Sequence, residues 1–334
     1  MELSNKKYDD LLDSIYSTLQ SAKENAARAI NAELVKANWE IGRNIVEFEQ
    51  QGNEKAEYGS SLLANLANDL KVKFGKGFSR SNLQLMRLLY LKYPICQTLS
   101  GKLSWSHYSE LLTISDELSR KFYEQQTINE NWSFREMKRQ IDSALFQRLA
   151  LSKDKDEILR LSEKGQEIQK ANDIVKDPYI FEFLDFPKGS LIKERGLEKR
   201  LIENLQKFLL ELGKGFSFVA KQYKITIDNE HNYVDLVFYH RILKCFVLID
   251  LKIRKVKHQD IGQMNMYLNY FKEEENVETD NEPIGIIIAT DKHEFLVKYA
   301  TGGISNKIFV SKYQLYLPDQ KLLEDKIKEI IENK

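Results

Sequence analysis

The chain has 334 residues, long enough for two domains with ordinary cores, and its 50 lysines and arginines balance 50 aspartates and glutamates. With no net charge, nothing global steers it to nucleic acid or membrane, so either partner would have to be met by a local patch. The two cysteines, Cys96 and Cys245, lie in apolar settings and read as small core residues, which excludes a disulfide framework and a cysteine zinc site. His107, His231, His240, His258 and His293 show no metal-ligand spacing, and there is no glycine-rich phosphate loop, which argues against a nucleotide-driven motor or a kinase. The start of the chain is polar through Asp13 and no long uncharged apolar run follows; the expected compartment is the cytoplasm, with no membrane partner.

Residues 8–50 carry apolar positions at three- and four-residue spacing, among them Tyr8, Leu11, Leu12, Ile15, Leu19, Trp39 and Ile45. They predict one or two helices, ended by Gln50-Gln51-Gly52-Asn53. A further helix is expected over about 55–72, with Tyr58, Leu62, Leu66 and Leu70 on one face. Between Asp69 and Glu110 there is no acidic residue, while Lys71, Lys73, Lys76, Arg80, Arg87, Lys92 and Lys102 alternate with aromatic side chains. Here FGKGFSRSNLQLMRLLYLKYP reads as a glycine turn, an N-cap at Ser79, and a helix from about Arg80 to Leu91 stopped before Pro94. A helix after a tight turn that exposes Arg, Asn and Gln matches a helix-turn-helix recognition helix. Lys73, Lys76, Arg80, Asn82, Gln84 and Arg87 are therefore candidate nucleic-acid contacts. A solvated basic face is the alternative, though such faces usually mix signs.

His107, in LSWSHYSELL, reads as a hydrogen-bonded structural histidine, because no nucleophile is placed with it. Ser133 and Glu136 predict a capping box for a helix over 132–149. The stretch 151–176 is highly charged and poor in aromatics, and predicts a solvated helical linker between a domain at 1–150 and another at 177–334.

The second domain reads as a helix (193–212), three strands (216–227, 233–240, 245–253), a helix (259–272) and a strand (283–290). A strand near 308–310 and a C-terminal helix close it. In its first helix the apolar stripe through Leu201 or Ile202, Leu205, Phe208 or Leu209, and Leu212 puts Glu198 on the inward face near an end and turns Glu203 and Glu211 away. The runs YVDLVFY and CFVLIDLKI have buried-strand composition yet carry charge: Asp235 in the first, Asp250 and Lys252 on one face of the second. Buried charges are paired or bind metal. One reading is a salt bridge from Lys252 to either acid. The other is a hard divalent cation held by the carboxylates, with the lysine beside it positioning or deprotonating a water. Gln263 shares a helix face with Tyr267 and Tyr270; Tyr239 shares a strand face with Asp235 and is expected only to line the site; Arg254, Lys255 and Lys257 follow at a strand end where they could grip phosphates.

An acid in one strand, then acid-x-Lys in the next, flanked by helices, resembles the PD-(D/E)xK nuclease superfamily. More narrowly, DLVFYHR, LIDLKI and IGQMNMYLNYF are similar to the C-terminal domain of the YhcG family of bacterial proteins. WEIGR (Trp39 to Arg43), Tyr58-Gly59, GKGFS, LSWSHY and Trp132-Ser133 are similar to that family's N-terminal domain, so the resemblance covers nearly the whole chain. It implies an α+β protein of two domains: an all-α, winged-helix-like DNA-binding domain, and a restriction-endonuclease-like α/β domain with an αβββαβ core. It implies a nuclease using Mg²⁺ or Mn²⁺, with Asp235, Asp250, the Leu251 carbonyl and Glu198 as metal ligands. Lys252 would orient or activate the attacking water, and Gln263 would help hold the nucleophile or the DNA backbone. A helix-start acid is the alternative for Glu198, and a plain surface glutamine for Gln263. The family usually has Glu where this chain has Asp250. That departure keeps a catalytically inactive subunit, binding DNA or assembled with defence or repair proteins, as the rival reading. The expected substrate is double-stranded or branched DNA, and cutting both strands implies a homodimer.

Overall fold

The computed structural model describes residues 2–50, 56–151, 153–187, 193–292 and 294–332. The chain divides into two compact units, Met1–Lys138 and Arg139–Lys334. The terminator expected at Gln51-Gly52-Asn53, and the side chain of Tyr58, lie outside the described residues.

The first unit is built from α1 (Glu2–Gln50), α2 (Ala56–Phe74), α3 (Arg80–Lys92), α4 (Trp105–Leu111) and α5 (Glu117–Glu130), and α6 (Phe134–Asp142) begins in it. It is helical, and among its described residues there is no strand, so no β-wing accompanies the helices. The WEIGR motif acts as a crossing device. A Cβ on Gly42 would fall 1.9 Å from the Met86 carbonyl oxygen, so only glycine lets α1 approach α3 this closely. Trp39 Nε1 donates to the Tyr93 carbonyl at 2.6 Å and locks the crossing. Leu83, Met86 and Leu89 form the buried face of α3, whose N-cap Ser79 accepts from the Asn82 N–H at 3.1 Å. His107 is structural, as expected: its Nδ1 accepts from the Ser104 N–H at 3.1 Å and completes a capping box for α4.

The helix expected over 132–149 is broken. α6 ends at Asp142, Ala144 takes a left-handed φ of 52°, and α7 (Leu145–Ala150) restarts in a new direction. The expected linker is not solvated either. Ile158 and Leu161 of α8 (Lys155–Lys164) are buried, and Ala171 and Ile174 join the main core of the second unit. Two apolar residues on one side of α8 suffice to dock it, whatever the charge of its other faces.

The second unit continues with β1 (Tyr179–Ile180), α9 (Glu194–Glu203), α10 (Leu205–Leu212), β2 (Phe216–Ile227), β3 (Glu230–His240) and β4 (Cys245–Lys255). α11 (His258–Tyr270), β5 (Ile284–Asp291), α12 (Glu294–Thr301), β6 (Lys307–Gln314) and α13 (Gln320–Glu332) complete it. The strands form one sheet in the order β1-β6-β5-β4-β3-β2. β2, β3 and β4 are antiparallel neighbours joined by tight turns, and β4, β5 and β6 run parallel. The parallel β4–β5 pair requires the crossover that α11 supplies. This is the expected αβββαβ core. One sheet face packs Leu236, Ile249 and Ile286 with α9 and α10 residues, and the other packs Leu248 and Ile287 with Met264 and Leu268 of α11. Gly285 permits that second layer, since a Cβ there would meet the Met264 side chain at 2.6 Å.

Glu211 corrects the sequence reading. It does not point away: its carboxylate is fully buried, 2.6 Å from the equally buried Arg148 guanidinium, and accepts from the Ile180 N–H at 2.9 Å. Lys176 donates to the Glu211 backbone carbonyl. The cause is a break at Asn204 (φ −112°, ψ 31°), which separates α9 from α10 and resets the helical phase on which the stripe depended. Cys245 is buried as expected, whereas Cys96 is only half-buried. Among the described residues no helix is long and apolar enough to cross a membrane.

Candidate active site

The site begins where two strands part. β3 and β4 pair from His240↔Cys245 to Leu236↔Ile249 and no further. Past that point the carboxylate of Asp235 replaces the ladder: its Oδ2 accepts from the Leu251 N–H at 2.8 Å. β4 stays paired to β5 through Asp250↔Ile287, Leu251↔Ile288 and Lys252↔Ala289, so the acid-x-Lys segment is held rigidly on one side and open on the other. It lies toward the C-terminal end of a parallel strand beside an antiparallel one, the usual place for a site in such sheets. Period-two alternation puts Asp250 and Lys252 on the α11 face with Leu248, and Lys252 Nζ lies 2.7 Å from Asp250 Oδ2. That contact lacks hydrogen-bond geometry. Oδ2 of Asp250, a residue only 4% exposed, is thus a buried carboxylate oxygen held by an ion pair and not by a well-aligned hydrogen bond.

The electrostatics carry the mark of crowded carboxylates. Burial, and then the charge of Asp235, push the Asp250 carboxyl up to about 7. Burial and then Asp235 also raise Glu198. Burial works against charging Lys252, but the close attraction of Asp250 and the charge of Asp235 outweigh it, and the ammonium is held above its ordinary value. Tyr267 of α11 is pushed up to about 12, by burial first and then by Asp250 and Asp235, and is hydrogen-bonded to Gln263. Gln222 ties the acids together: its Nε2 donates to Glu198 Oε2 at 2.9 Å and to Asp235 Oδ1 at 3.0 Å. Gln222 has a left-handed φ of 48°, a strained conformation of the kind that collects at functional sites.

Whether a cation fits follows from these donors. Among the described residues no three acidic, histidine or cysteine side chains are grouped closely enough to hold a metal by themselves. The donor set is two carboxylates on adjacent strands, with Glu198 linked through Gln222, and all of it is hard oxygen. That suits Mg²⁺ or Mn²⁺, which keep part of their water shell, and the buried Asp250 oxygen, in an ion pair but no aligned hydrogen bond, keeps a lone pair such an ion would take.

The other predicted residues separate into three groups. Asp235, Asp250, Lys252, Glu198 and, through Tyr267, Gln263 are brought together. Arg254 and Lys255 are already committed, Arg254 to both oxygens of Asp260 at 2.7 Å and Lys255 to Asp291 at 2.9 Å; Lys257 is exposed. Tyr239 is not part of the site lining: its hydroxyl donates to Asp280 at 2.7 Å and its ring packs on Phe246, near the other end of β3. In the first unit Lys73, Lys76 and Arg80 are exposed and Gln84 half-buried. Asn82 instead donates to the Gly77 carbonyl and accepts from Trp105 Nε1 at 3.0 Å, and Arg87 pairs with Glu49 at 2.7 Å. Sequence reasoning missed Gln222 and Glu194, whose Oε1 accepts from the Ile253 N–H at 3.4 Å. Neither belongs to a motif, and only the partner across the strand or helix gives it a role.

An αβββαβ core with an acid on one strand and acid-x-Lys on the next, where the strands part, defines the class: a PDDEXK-type nuclease domain. Residues 172–328 match the family described as YhcG PDDEXK nuclease domain, and residues 14–148 match the DUF1016 N-terminal domain. The chain belongs to the YhcG family: it is 36% identical, over an alignment of 352 residues, to the Escherichia coli (strain K12) protein named "Putative nuclease YhcG", covering 96% of this chain and 93% of the relative. Among solved structures it is similar to a repair endonuclease from Pyrococcus abyssi (21% identity, TM-score 0.28, 40% of this chain and 50% of that one). It is also similar to an EndoMS–dsDNA complex (17% identity, TM-score 0.28, 40% of this chain and 50% of that one). The chain spans about half the length of these two structures.

Proposed function

We propose that the protein is a divalent-metal-dependent endonuclease that hydrolyses phosphodiester bonds in DNA. The observation that carries this reading is the buried Asp250 carboxylate, crowded by the charge of Asp235 and 2.7 Å from the Lys252 ammonium. Asp235, Asp250, Glu198 and the Leu251 carbonyl are the groups that would hold the ion. A bound divalent cation would polarise the scissile phosphate and lower the pKa of a coordinated water. Lys252, whose pKa is raised beside the two carboxylates, would orient the water or a phosphate oxygen as a donor. Gln222 holds the Glu198 and Asp235 carboxylates at fixed separation, and Gln263, braced by Tyr267, offers an amide on the α11 side. Lys73, Lys76 and Arg80 are the exposed cations available for salt-sensitive duplex binding. Cutting both strands of a duplex calls for two copies of the site.

One observation favours a second reading, an inactive nuclease-fold subunit. Asp250 is one methylene shorter than the usual Glu and already rests against Lys252. Incubating the purified protein with supercoiled and branched DNA in Mg²⁺ or Mn²⁺, beside Lys252→Ala, separates the two. Cutting by the wild type alone supports the nuclease; DNA binding without cutting by either supports the inactive subunit; equal nicking by both identifies a contaminant and removes the assignment of Lys252.

A further inference from the structure

Among the described residues, nothing packs against α1 from Tyr8 to Ile30. Every residue from Tyr8 to Ile30 is exposed, a run of 23 positions that a helix extends over roughly 34 Å at about 1.5 Å per residue. Yet its apolar residues are not scattered: Tyr8, Leu12, Ile15, Leu19, Ala22 and Ala26 recur at spacings of 4, 3, 4, 3 and 4, the seam of a coiled coil. The four large ones are 47–58% exposed, and Leu11 and Tyr16, flanking them, are 54% and 71% exposed. Helical segments this far from a core gain most of their stability from a packed apolar face, so an unpaired seam calls for an occupant.

We propose that the seam pairs with the same seam of a second copy of this chain, antiparallel, about a two-fold axis near Tyr16 and Ser17. Size and charge both select this arrangement. The four large residues come first in the seam and the two alanines last. Run antiparallel, Tyr8 meets the partner's Ala26, Leu12 meets the partner's Ala22 and Ile15 meets the partner's Leu19, so every outer layer sets a large side chain against a small one. Side by side in parallel, tyrosine would face tyrosine at one end and alanine alanine at the other, splaying the helices at one and leaving a gap at the other. In the antiparallel register Asp9 flanks the seam beside the partner's Lys23, and two-fold symmetry forms that pair twice. Twelve large apolar side chains, at roughly 100 Å² each, would bury on the order of 1,200 Å², the lower end of what a stable protein interface needs. The pairing is independent of the nuclease chemistry, but it would also bring together the two copies that double-strand cutting requires.

The test is light scattering and sedimentation of the full-length protein over about 1–100 µM. A dimer is expected, with Ile15→Asp plus Leu19→Asp shifting it to monomer; any circular-dichroism loss should be confined to the helical turns of residues 8–30, and the main unfolding transition of the rest of the chain should stay unchanged, since neither residue contacts a core. Asp9→Lys and Lys23→Asp should each weaken dimerisation on the order of tenfold at low salt, because each acts twice, and the double exchange should restore it. Leu12→Cys mixed with Ala22→Cys should crosslink, and Leu12→Cys alone should not. A monomer throughout, a larger assembly, a dimer indifferent to the Asp substitutions, or crosslinking of Leu12→Cys with itself would overturn the proposal.

Discussion

Replacing Asp250 by Asn should make the metal-free protein more stable, and the gain should depend on pH. The carboxyl sits at about 7, against an ordinary 3.8, because burial and then Asp235 oppose its charge. Moving a carboxyl that far disfavours its charged form by about 4 kcal/mol, at about 1.4 kcal/mol per decade of proton affinity. The folded pKa is raised for an acid, so between 3.8 and about 7 the folded state binds more protons than the unfolded one, and stability falls as pH rises through that window. The strain is complete above about 7 and absent below 3.8. The figure of about 4 kcal/mol already includes the attraction of Lys252, which lowers the Asp250 pKa; a further cost, commonly about 3–5 kcal/mol for a broken buried pair, would arise only if the lysine were left stranded. Lys252, however, keeps 12% of its side chain exposed and still faces the charge of Asp235, so its ammonium is not stranded. The desolvation effect wins, and Asp250→Asn is expected to gain about 2–4 kcal/mol at pH 8 in EDTA and less than about 2 kcal/mol at pH 5. Urea unfolding at the two pH values measures both. Adding millimolar Mg²⁺ or Mn²⁺ should stabilise the wild type and leave the variant unmoved. A variant less stable than wild type at pH 8, or a difference that does not change with pH, would show that Asp250 is a structural ion-pair residue and refute the idea of a site strained to receive a cation.

Glu211→Ala should lose about 3–5 kcal/mol by denaturant unfolding, because it leaves the fully buried Arg148 unpaired, while Glu203→Ala, on the exposed side of α9, should stay within about 0.5 kcal/mol. Gly42→Ala should cost about 3 kcal/mol or more in the first unit, since its Cβ would lie 1.9 Å from the Met86 carbonyl oxygen and backbone cannot yield as a side chain can; an unchanged melting profile would contradict that crossing. Arg80→Ala should weaken DNA binding similarly for all sequences and reduce the salt slope by about one. Asn82→Ala should instead lower stability by about 1–2 kcal/mol, through the lost Trp105 and Gly77 hydrogen bonds, with little change in the salt slope of binding.

Local and periodic features were readable from the sequence, because they depend on residues near one another in the chain. The alternation within β3 and β4 put Asp250 and Lys252 on one face, the αβββαβ order followed from run lengths and turns, and Ser79 announced the start of α3. The charged stretch after Ala150 misled, because charge counts the solvated face of a helix whereas docking needs only Ile158 and Leu161 on the other. Glu211 misled because a single break at Asn204 rotates everything after it, and helical phase cannot be carried across a break. What only the tertiary structure decided is which groups meet. The parting of β3 from β4 beyond Leu236 and Ile249 is what lets Asp235 cap Leu251 and crowd Asp250. Gln222 reaches Glu198 and Asp235 across 24 and 13 positions of chain. Asn82 and Arg87, placed by composition among the nucleic-acid contacts, are spent on Trp105, Gly77 and Glu49 inside the first unit. A sequence records which side chains can donate or accept; whether a given one is free to meet a substrate depends on the partners that folding brings within about 3 Å.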